Sequence, residues 1–414
     1  MKIKLIKASA SSAFKDYKAY MGTPPQSIYS TAVATPENVE VEVHDETSEG
    51  AVDLSTDAEL VAVFMSTPDA MRGYELADRF RAQGKIVVFG GLHASFLPDE
   101  VLTHSDAVMI GEAETIWPQL LDDYASGQLK QRYQQDTPTC MSMLSPYPHQ
   151  QLDLEPYRGM SSVVVSRGCK FKCSYCTVHK FFPVMRNRPV GDVVDEIKAS
   201  RLEYFELHAD NLIADREYAM ELCQALKPLN IRWSAEATIN IAEHDELLQA
   251  AAESGLFWLL SGIETPSQVA LKAAGKGFIR IDRTKEYIRK LHEYNIAVDS
   301  AMLFGFDEHS PEIFEETLDY VDDVELDMCH SVIVTPYPGT TLFQQFEQER
   351  RLLTRDWSKY DGTQAVFQPK QMSPEHLEEG MAWFHERYNG LGRSLKRRVT
   401  RIHNLGWSNS SWIS

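Results

Sequence analysis

Three cysteines lie within eight residues of one another, in the run Ser166-Arg-Gly-Cys-Lys-Phe-Lys-Cys-Ser-Tyr-Cys-Thr177. The spacing C-x3-C-x2-C lets one short loop present the thiolates of Cys169, Cys173 and Cys176 to a cuboidal iron-sulfur cluster. A cluster that only transfers electrons normally takes four cysteines. Three ligands leave one iron open, just as a three-ligand zinc site keeps a position for catalysis. The pattern therefore predicts a catalytic iron-sulfur cluster.

A zinc site is the main alternative for these cysteines. Zinc would need a fourth ligand, and His179, three residues after Cys176, could supply one. The other cysteines, Cys140, Cys223 and Cys329, are scattered and are typical of ordinary buried residues. Free thiolates favour a reducing compartment.

The cysteine loop resembles that of the radical S-adenosylmethionine (radical SAM) enzymes, which carry an aromatic residue just before the third cysteine. Tyr175 fills that position. The resemblance implies that SAM chelates the open iron of a 4Fe-4S cluster through its amino and carboxylate groups. It also implies that an electron from the reduced cluster cleaves SAM to methionine and a 5'-deoxyadenosyl radical, with flavodoxin or ferredoxin as the electron donor. The cofactor does this chemistry, so no catalytic side chain is assigned beyond the cluster ligands.

Composition favours a globular cytoplasmic enzyme. The 414 residues are 43% hydrophobic, with no apolar run near the length that spans a membrane. The N-terminus alternates charged and apolar residues, unlike a signal peptide. A net charge of -19 argues against a nucleic-acid partner and is compatible with a small-molecule or lipid-like substrate.

Residues 1–133 have the pattern of an α/β domain. Short apolar runs predict five strands, and helical stretches over 69–83 and 114–126 separate the later ones. The strands are Ile3–Ile6, Val39–Val43, Leu60–Met65, Ile86–Phe89 and Ala107–Ile110. This alternation predicts a Rossmann-like parallel sheet that receives ligands at the carboxyl ends of its strands. Prolines and polar residues over 134–157 predict a linker.

Glycines and polar residues follow three of these strands, where a backbone without Cβ atoms could approach a large ligand. With Pro98-Asp-Glu100, they resemble the cobalamin-binding domain that precedes the barrel in one class of radical SAM enzymes. The resemblance implies cobalamin contacts at Ser66, Thr67, Gly90, Gly91, His93, Gly111 and Glu112. The Asp-x-His-x-x-Gly motif is absent, so His93 is expected as a loop contact and not as the cobalt ligand. Residues 8–34 depart from the pattern, being rich in Ser, Ala and Tyr and interrupted by Gly22-Thr-Pro-Pro-Gln26.

Residues 158–370 contain six strand-helix units, which predict an open (β/α)6 partial barrel. The strands are Ser162–Ser166, Glu203–His208, Ile231–Ala235, Phe257–Ser261, Ala297–Phe304 and Met328–Val334. The radical SAM core has this architecture. Residues 371–414 predict a helical extension that starts at Ser373. Its basic stretch, 393–401, is expected to pack on the barrel, with an anionic membrane or an acidic substrate as alternative partners.

Carboxylates follow several barrel strands, where the active site of a barrel lies. Asp210 lies in a segment that holds the SAM amino group in the family, although Ala209 replaces one member of the usual acidic pair. Glu264 lies in a segment resembling the one near the SAM ribose and adenine. The resemblance thus implies SAM contacts at Tyr175, Asp210, Glu236 and Glu264. The alternative is that these carboxylates are helix caps.

The combined resemblance implies a cobalamin-dependent radical SAM methyltransferase that acts on an unactivated carbon. Radical cyclisation, rearrangement or oxidation without methyl transfer is the alternative. Methylthiolation is disfavoured because only Cys140 precedes the motif. A non-catalytic iron-sulfur or cobalamin carrier is the hypothesis from a different class, and such a carrier would not cleave SAM.

Overall fold

The computed structural model of the protein describes residues 1–10, 22–157 and 159–410, and the side chains up to residue 406. The chain divides into two compact units. The first comprises Met1–Gly159, Tyr337–Gly339 and Thr354–Asp361, and the second comprises Met160–Pro336, Thr340–Leu353 and Gly362–Ser414. Each unit contains a six-stranded sheet with parallel pairing throughout, which confirms the α/β class.

The first sheet has the strand order β2-β1-β3-β4-β5-β6. Its strands are β1 (Lys2–Lys7), β2 (Glu40–Asp45), β3 (Leu60–Phe64), β4 (Ile86–Gly90), β5 (Ala107–Ile110) and β6 (Arg132–Gln134). Its helices are Gln26–Val33, Ala70–Ala82, Leu92–Phe96, Pro98–Val101 and Ala113–Ala125. All five residues of β3 are buried, as expected for a central strand with both faces covered. The order reverses between β1 and β3, the switch point at which open α/β sheets bind ligands.

Two features of this sheet differ from the sequence-based expectation. The strand β6 was not predicted, because Arg-Tyr-Gln has no apolar run and only Tyr133 is buried at this edge of the sheet. The stretch 8–34, which the sequence presents as interrupted, holds the helix Gln26–Val33. Residues 11–21 of that stretch lie outside the described residues.

The second sheet has the strand order β14-β13-β12-β11-β10-β7. These strands are β7 (Ser161–Val164), β10 (Tyr204–His208), β11 (Arg232–Glu236), β12 (Leu256–Leu260), β13 (Ala297–Phe304) and β14 (Met328–Ile333). A short antiparallel pair, β8 (Ser166–Arg167) and β9 (Arg186–Asn187), flanks the cysteine motif. Successive strands of the main sheet are neighbours, the arrangement of a (β/α) barrel, and β7 and β14 form its two edges. The barrel is therefore open, as predicted.

The second unit contains ten α-helices among its described residues. They are Val178–Phe181, Val190–Ser200, Arg216–Leu226, Asp245–Glu253, Gln268–Ala273, Ile281–Glu293, Ile313–Asp323, Thr341–Gln348, Pro374–Asn389 and Leu391–Ser410. The Phe304 ring of β13 packs on the rings of Phe314 and Phe384, so this side chain faces the helices. In β10, the fully buried Phe205 and Leu207 alternate with Glu206 and His208. Because successive side chains of a strand point to opposite faces, Glu206 and His208 lie on the inner face of the sheet.

The C-terminal helices pack on the second unit. Ser373 caps the helix Pro374–Asn389 by accepting a hydrogen bond from the backbone N–H of His376, as the sequence predicts. Arg393 pairs with Asp322 at 2.8 Å, and Arg401 donates to the Asp327 carbonyl. The basic residues thus pack against the barrel, while Leu391, Leu395 and Val399 are exposed. Within the described part of the chain, no helix has the length and apolar character needed to cross a bilayer.

Candidate active site at the cysteine loop

The cysteine loop follows β8 and is held at its start by Gly168. The backbone N–H of Gly168 donates to Oδ2 of Asp210 at 2.6 Å. Gly168 has a φ of 89°, and a Cβ atom there would lie 2.8 Å from the Val184 carbonyl oxygen. Both the left-handed conformation and the close approach therefore require glycine directly before Cys169.

Two neighbouring segments clamp the middle of the loop. The backbone N–H of Ser174 donates to the Ala274 carbonyl at 2.9 Å, and the N–H of Leu342 donates to the Ser174 carbonyl at 2.8 Å. The Phe171 ring stacks on the Phe278 ring with centroids 3.7 Å apart. The loop is thus fixed by backbone bonds and ring stacking as well as by its own turns.

All three motif cysteines have free thiols, with Cys173 buried and the other two partly buried. Burial raises the pKa of Cys173, and it raises the pKa of Cys176 to about 12, with the neighbouring sulfurs adding to both shifts. The three sulfurs are therefore close enough to interact electrostatically. A bound metal would reverse the shift, because coordinated thiols are deprotonated.

This donor set fits a cluster better than a single ion. Among the described residues, no three His, Cys, Asp or Glu side chains converge at the spacing that a single metal ion needs. Each cysteine of a cluster binds a different iron, so cluster ligands need not converge on one point. His179, the candidate fourth zinc ligand, therefore does not complete a mononuclear site with the thiols.

Glu264, a predicted SAM contact, lies close to this loop. Burial, with the charge of Glu264 next in importance, raises the pKa of Tyr175 well above its usual value. Glu264 itself has a φ of 70°, which is unusual for a residue with a side chain. Its backbone N–H donates to the Ala301 carbonyl, and its carbonyl accepts from Leu303 at 2.6 Å. The neighbouring strand therefore holds this conformation in place.

Sequence reasoning missed Lys276, which pairs with Glu264. Nζ of Lys276 lies 2.5 Å from Oε1 of Glu264, and both side chains are nearly buried. The only sequence signal is the turn Gly275-Lys-Gly277, in which two glycines flank one cation.

A second group of ionisable side chains lies at the ends of β10 and β11. Nδ1 of His208 is 3.6 Å from Oε1 of Glu206. Burial opposes protonation of His208, but Glu206, with Asp210 and Glu236, raises its pKa to about 9. Glu236 is accessible at the end of β11, but the protein that surrounds its carboxyl group, with the charge of Glu206, raises its pKa to about 7. The structure thus brings the predicted residues Asp210 and Glu236 together with Glu206 and His208, which the sequence reasoning did not select.

Electrostatic contacts join these groups to the cysteine loop. The Asp210 charge interacts electrostatically with the Cys176 thiol. The Lys276 charge interacts in the same way with Cys173, Cys176 and Glu236. Both a cation and carboxylates therefore act on the thiols, which suits a zwitterionic ligand. The assignment of individual SAM contacts remains a prediction.

A buried histidine, also missed by the sequence reasoning, ties two strand ends together. Nδ1 of His309 accepts a hydrogen bond from the Gly305 backbone N–H at 3.3 Å, and its Nε2 lies 3.0 Å from the Thr265 hydroxyl. Since Nδ1 accepts, Nε2 carries the proton and donates to Thr265. Burial lowers the pKa of His309 to about 3, so the ring is neutral. His309 therefore positions the segment that follows Glu264.

In the first unit, local packing accounts for several predicted cobalamin contacts. A Cβ atom at Gly91 would lie 2.9 Å from the Met65 carbonyl oxygen, and one at Gly90 would meet the Phe64 ring. Gly111 packs on Gln135. The Glu112 carboxylate accepts hydrogen bonds from Gln135 and from the Thr139 backbone. These residues are required by the fold of the loops whether or not a corrin is present.

His93, predicted as a loop contact, is fully buried. Its Nε2 lies 2.9 Å from the Tyr74 hydroxyl, and its Nδ1 lies 3.3 Å from the Thr67 hydroxyl. Tyr74 in turn donates to Glu100, which also accepts from Trp357. Both ring nitrogens therefore have polar partners in this network. Thr67 is buried because its hydroxyl is one of these partners.

Ser66 and Asp69 lie at the carboxyl edge of the first sheet, beside the switch point. Asp69 pairs with Lys7 at 2.8 Å and accepts a hydrogen bond of 2.5 Å from the Ser66 hydroxyl. Asp69 thus links the end of β1 to the loop after β3. The sequence reasoning selected Ser66 but missed Asp69.

A family model described as Radical SAM superfamily matches residues 163–321 of this chain. Residues 163–321 form a radical SAM domain. The cofactors of this domain are a 4Fe-4S cluster and SAM, and its chemistry requires a reductant. The match covers β7 to the helix Ile313–Asp323 and includes the cysteine loop.

Relatives extend the similarity beyond the radical SAM domain. Bacteriochlorophyllide d C-12(1)-methyltransferase of Chlorobaculum tepidum is 29% identical over 364 residues, which are 84% of this chain and 78% of that protein. The fold is similar to that of TsrM from Kitasatospora setae, a radical SAM methyltransferase solved with cobalamin and a 4Fe-4S cluster. That match has a TM-score of 0.69 and 16% identity and covers 84% of this chain and 78% of TsrM. OxsB, a cobalamin-dependent radical enzyme solved with aqua-cobalamin and SAM, matches with a TM-score of 0.70 and 13% identity, over 100% of this chain and 71% of OxsB.

Proposed function

We propose that this protein is a cobalamin-dependent radical SAM methyltransferase that methylates an unactivated carbon of a small or lipid-like molecule. One observation carries the proposal: a relative that aligns with 84% of this chain, well beyond the radical SAM domain, is named a methyltransferase. The TsrM and OxsB structures, which match 84% and 100% of this chain, are of proteins described with cobalamin. A flavodoxin or ferredoxin would supply the electrons.

In this proposal, the cysteine loop holds the cluster and the surrounding residues orient SAM. When bound, the cluster supplies the electron that cleaves SAM to a 5'-deoxyadenosyl radical, and the corrin supplies the methyl carrier. Asp210, next to the loop, is suited to bind the SAM ammonium group. Glu236 would add negative charge for the cationic groups of SAM, Glu264 would lie near the ribose and adenine, and Lys276 limits the net charge around the thiols. Tyr175 contributes a buried wall that excludes water.

Residues 1–133, which lie within the first unit, are proposed as the corrin-binding domain. Its switch point between β1 and β3 supports this assignment, because ligands of doubly wound sheets bind there. Ser66, Gly91 and Gly111 are partly exposed at that edge and stay candidates for contact. Thr67, His93 and Glu112 are buried, so they would act by supporting these loops.

The test is a product analysis on protein that was purified anaerobically and reconstituted with iron, sulfide and hydroxocobalamin. We expect bound iron, a corrin spectrum and, after reduction, both S-adenosylhomocysteine and 5'-deoxyadenosine from SAM. The first product reports methyl transfer from SAM, and the second reports radical formation. Cys173→Ala is the control, which should lose radical formation.

Other product patterns identify the competing functions. If the enzyme forms 5'-deoxyadenosine but no S-adenosylhomocysteine, and shows no corrin spectrum, its reaction is radical cyclisation, rearrangement or oxidation and not methyl transfer. Bound cofactor without any cleavage of SAM would indicate a carrier. Zinc in place of iron would contradict the cluster itself.

A further inference from the structure

A lysine ammonium is buried beside the cysteine loop. Lys276 follows the helix Gln268–Ala273, its side chain is 12% exposed, and its Nζ pairs with Glu264 at 2.5 Å. Moving an ammonium group out of water is costly unless it is paired in good geometry. Solvation by water therefore does not account for the stability of this ammonium group, so its protein partners must.

The backbone around the pair is fitted to it. A Cβ atom at Gly262 would overlap both Oε1 of Glu264 and Nζ of Lys276, so glycine leaves the space that the ion pair fills. Glu264 holds a left-handed conformation with a φ of 70°. Such conformations persist where the surrounding structure dictates them, often at functional sites.

The turn that carries Lys276 also contacts the cysteine loop directly. Ala274, two residues before the lysine, accepts the hydrogen bond from Ser174. Phe278, two residues after it, stacks on Phe171. A Cβ atom at Gly275 would lie 3.2 Å from the Lys172 carbonyl oxygen, so the two backbones run side by side. Lys276 lies between these contacts.

The lysine charge acts on the ligands of the loop. Its electrostatic partners are Glu264, Cys173 and Cys176. Since it is enclosed by protein, solvent screens this charge less than it would screen one at the surface.

We propose that Lys276 is a positioning residue for the iron-sulfur cluster, one that holds a positive charge next to Cys173 and Cys176 and thereby stabilises the reduced state. The inference rests on the cluster of the proposed function. Reduction adds one negative charge to the cluster, and a nearby buried cation favours that form. Net charge and hydrogen bonding around a cluster are among the factors that set its potential.

The experiment measures the midpoint potential of the reconstituted cluster without SAM, by redox titration followed by electron paramagnetic resonance. Lys276→Met removes the charge and keeps the length of the side chain. We expect its reduction equilibrium to become less favourable by at least about tenfold, which is about 59 mV for one electron. Lys276→Arg should stay near the wild type. Lys272→Met, which removes an exposed cation from the adjacent helix, is the matched control and should change nothing.

Each outcome decides the proposal. An unchanged potential in Lys276→Met with full iron content overturns it. If Lys276→Met loses iron, Lys276→Gln is measured instead, because it also removes the charge but keeps a polar group that can hydrogen-bond to Glu264, and a fall in potential supports the charge effect. Loss of iron from both variants overturns the proposal, since the pair would then only support the fold. A wild-type protein without a cluster would overturn the proposed function and the role of the lysine with it.

Discussion

The Asp210 carboxylate and the backbone N–H of Gly168 are joined by a hydrogen bond of 2.6 Å. Gly168 directly precedes Cys169, and Asp210 follows β10. The residue that the sequence assigns to SAM therefore also holds the start of the cysteine loop. A hydrogen bond to a charged group contributes about 1.5–3 kcal/mol, so this contact is strong enough to affect the position of the loop.

Two substitutions of Asp210 separate these roles. Asp210→Asn keeps an oxygen that can accept the Gly168 hydrogen bond but removes the charge, so we expect full iron content and SAM binding weakened at least about tenfold. Asp210→Ala removes both, so we expect partial loss of iron as well. Iron analysis and equilibrium dialysis of SAM measure the two effects. Equal SAM affinity in the wild type and Asp210→Asn would show that the carboxylate only supports the loop.

Single substitutions of the cysteines test the cluster. Cys169→Ala, Cys173→Ala and Cys176→Ala should each abolish the cluster, because two thiolates are too few to hold it. Cys140→Ala, Cys223→Ala and Cys329→Ala should retain it, since these thiols lie outside the loop. Absorbance and iron content after anaerobic reconstitution give the answer. Iron retained when all three motif cysteines are replaced would refute the assignment.

SAM binding should depend on pH through Glu236. The surrounding protein raises the pKa of this carboxyl group to about 7, so it is protonated at pH 6 and ionised at pH 8. The added negative charge attracts the SAM sulfonium and ammonium groups. We expect SAM affinity to increase from pH 6 to pH 8 in the wild type and to stay flat over this range in Glu236→Gln. A parallel pH dependence in both proteins would assign the titration to another group.

The stability of the second unit should fall in acid because of His309. Burial lowers the pKa of this imidazole from 6.5 to about 3, so the unfolded chain binds a proton below pH 6.5 that the folded chain does not. The stabilising contribution of neutral His309 to the free energy of unfolding is therefore fully present above pH 6.5. At pH 4 the free energy of unfolding is lower by roughly 3 kcal/mol. Urea unfolding at several pH values measures it. His309→Gln should show a shallower loss between pH 6.5 and pH 4, despite a lower stability at pH 7.

Substitution of Gly91 should destabilise the first unit by itself. Gly91→Ala places a Cβ atom 2.9 Å from the Met65 carbonyl oxygen in a backbone with a φ of 94°, which we expect to cost about 1–3 kcal/mol. Gly127→Ala is the control, because Gly127 also has a positive φ, 71°, but nothing within 4 Å. Thermal unfolding of both variants separates the contact from the backbone effect. Equal stability of the two variants would exclude the contact with Met65 as a cause.

The strands of both sheets were predictable because their apolar runs are local. β13 spans Ala297–Phe304 in the structure as in the prediction, and the first five strands differ by at most a few residues. Alternation of strands and helices then fixed the parallel topology. β6 escaped prediction because Arg132–Gln134 is an edge strand with one buried side chain, which leaves no periodic signal.

The sequence by itself determined the cysteine loop. The three cysteines lie within eight residues, and their spacing already indicates the kind of metal centre. It also determined that carboxylates lie at the end of β11 and just after β10 and β12, because strand ends can be read locally. Only the tertiary structure decided which charges meet there. Lys276 reaches Glu264 across twelve residues and His309 reaches Thr265 across forty-four, and no local pattern encodes such pairs. The same holds for His93, whose burial depends on Tyr74 and on Trp357, a residue far along the chain. Burial and pairing are properties of the packed chain, and a single sequence does not specify them until its elements have been brought together.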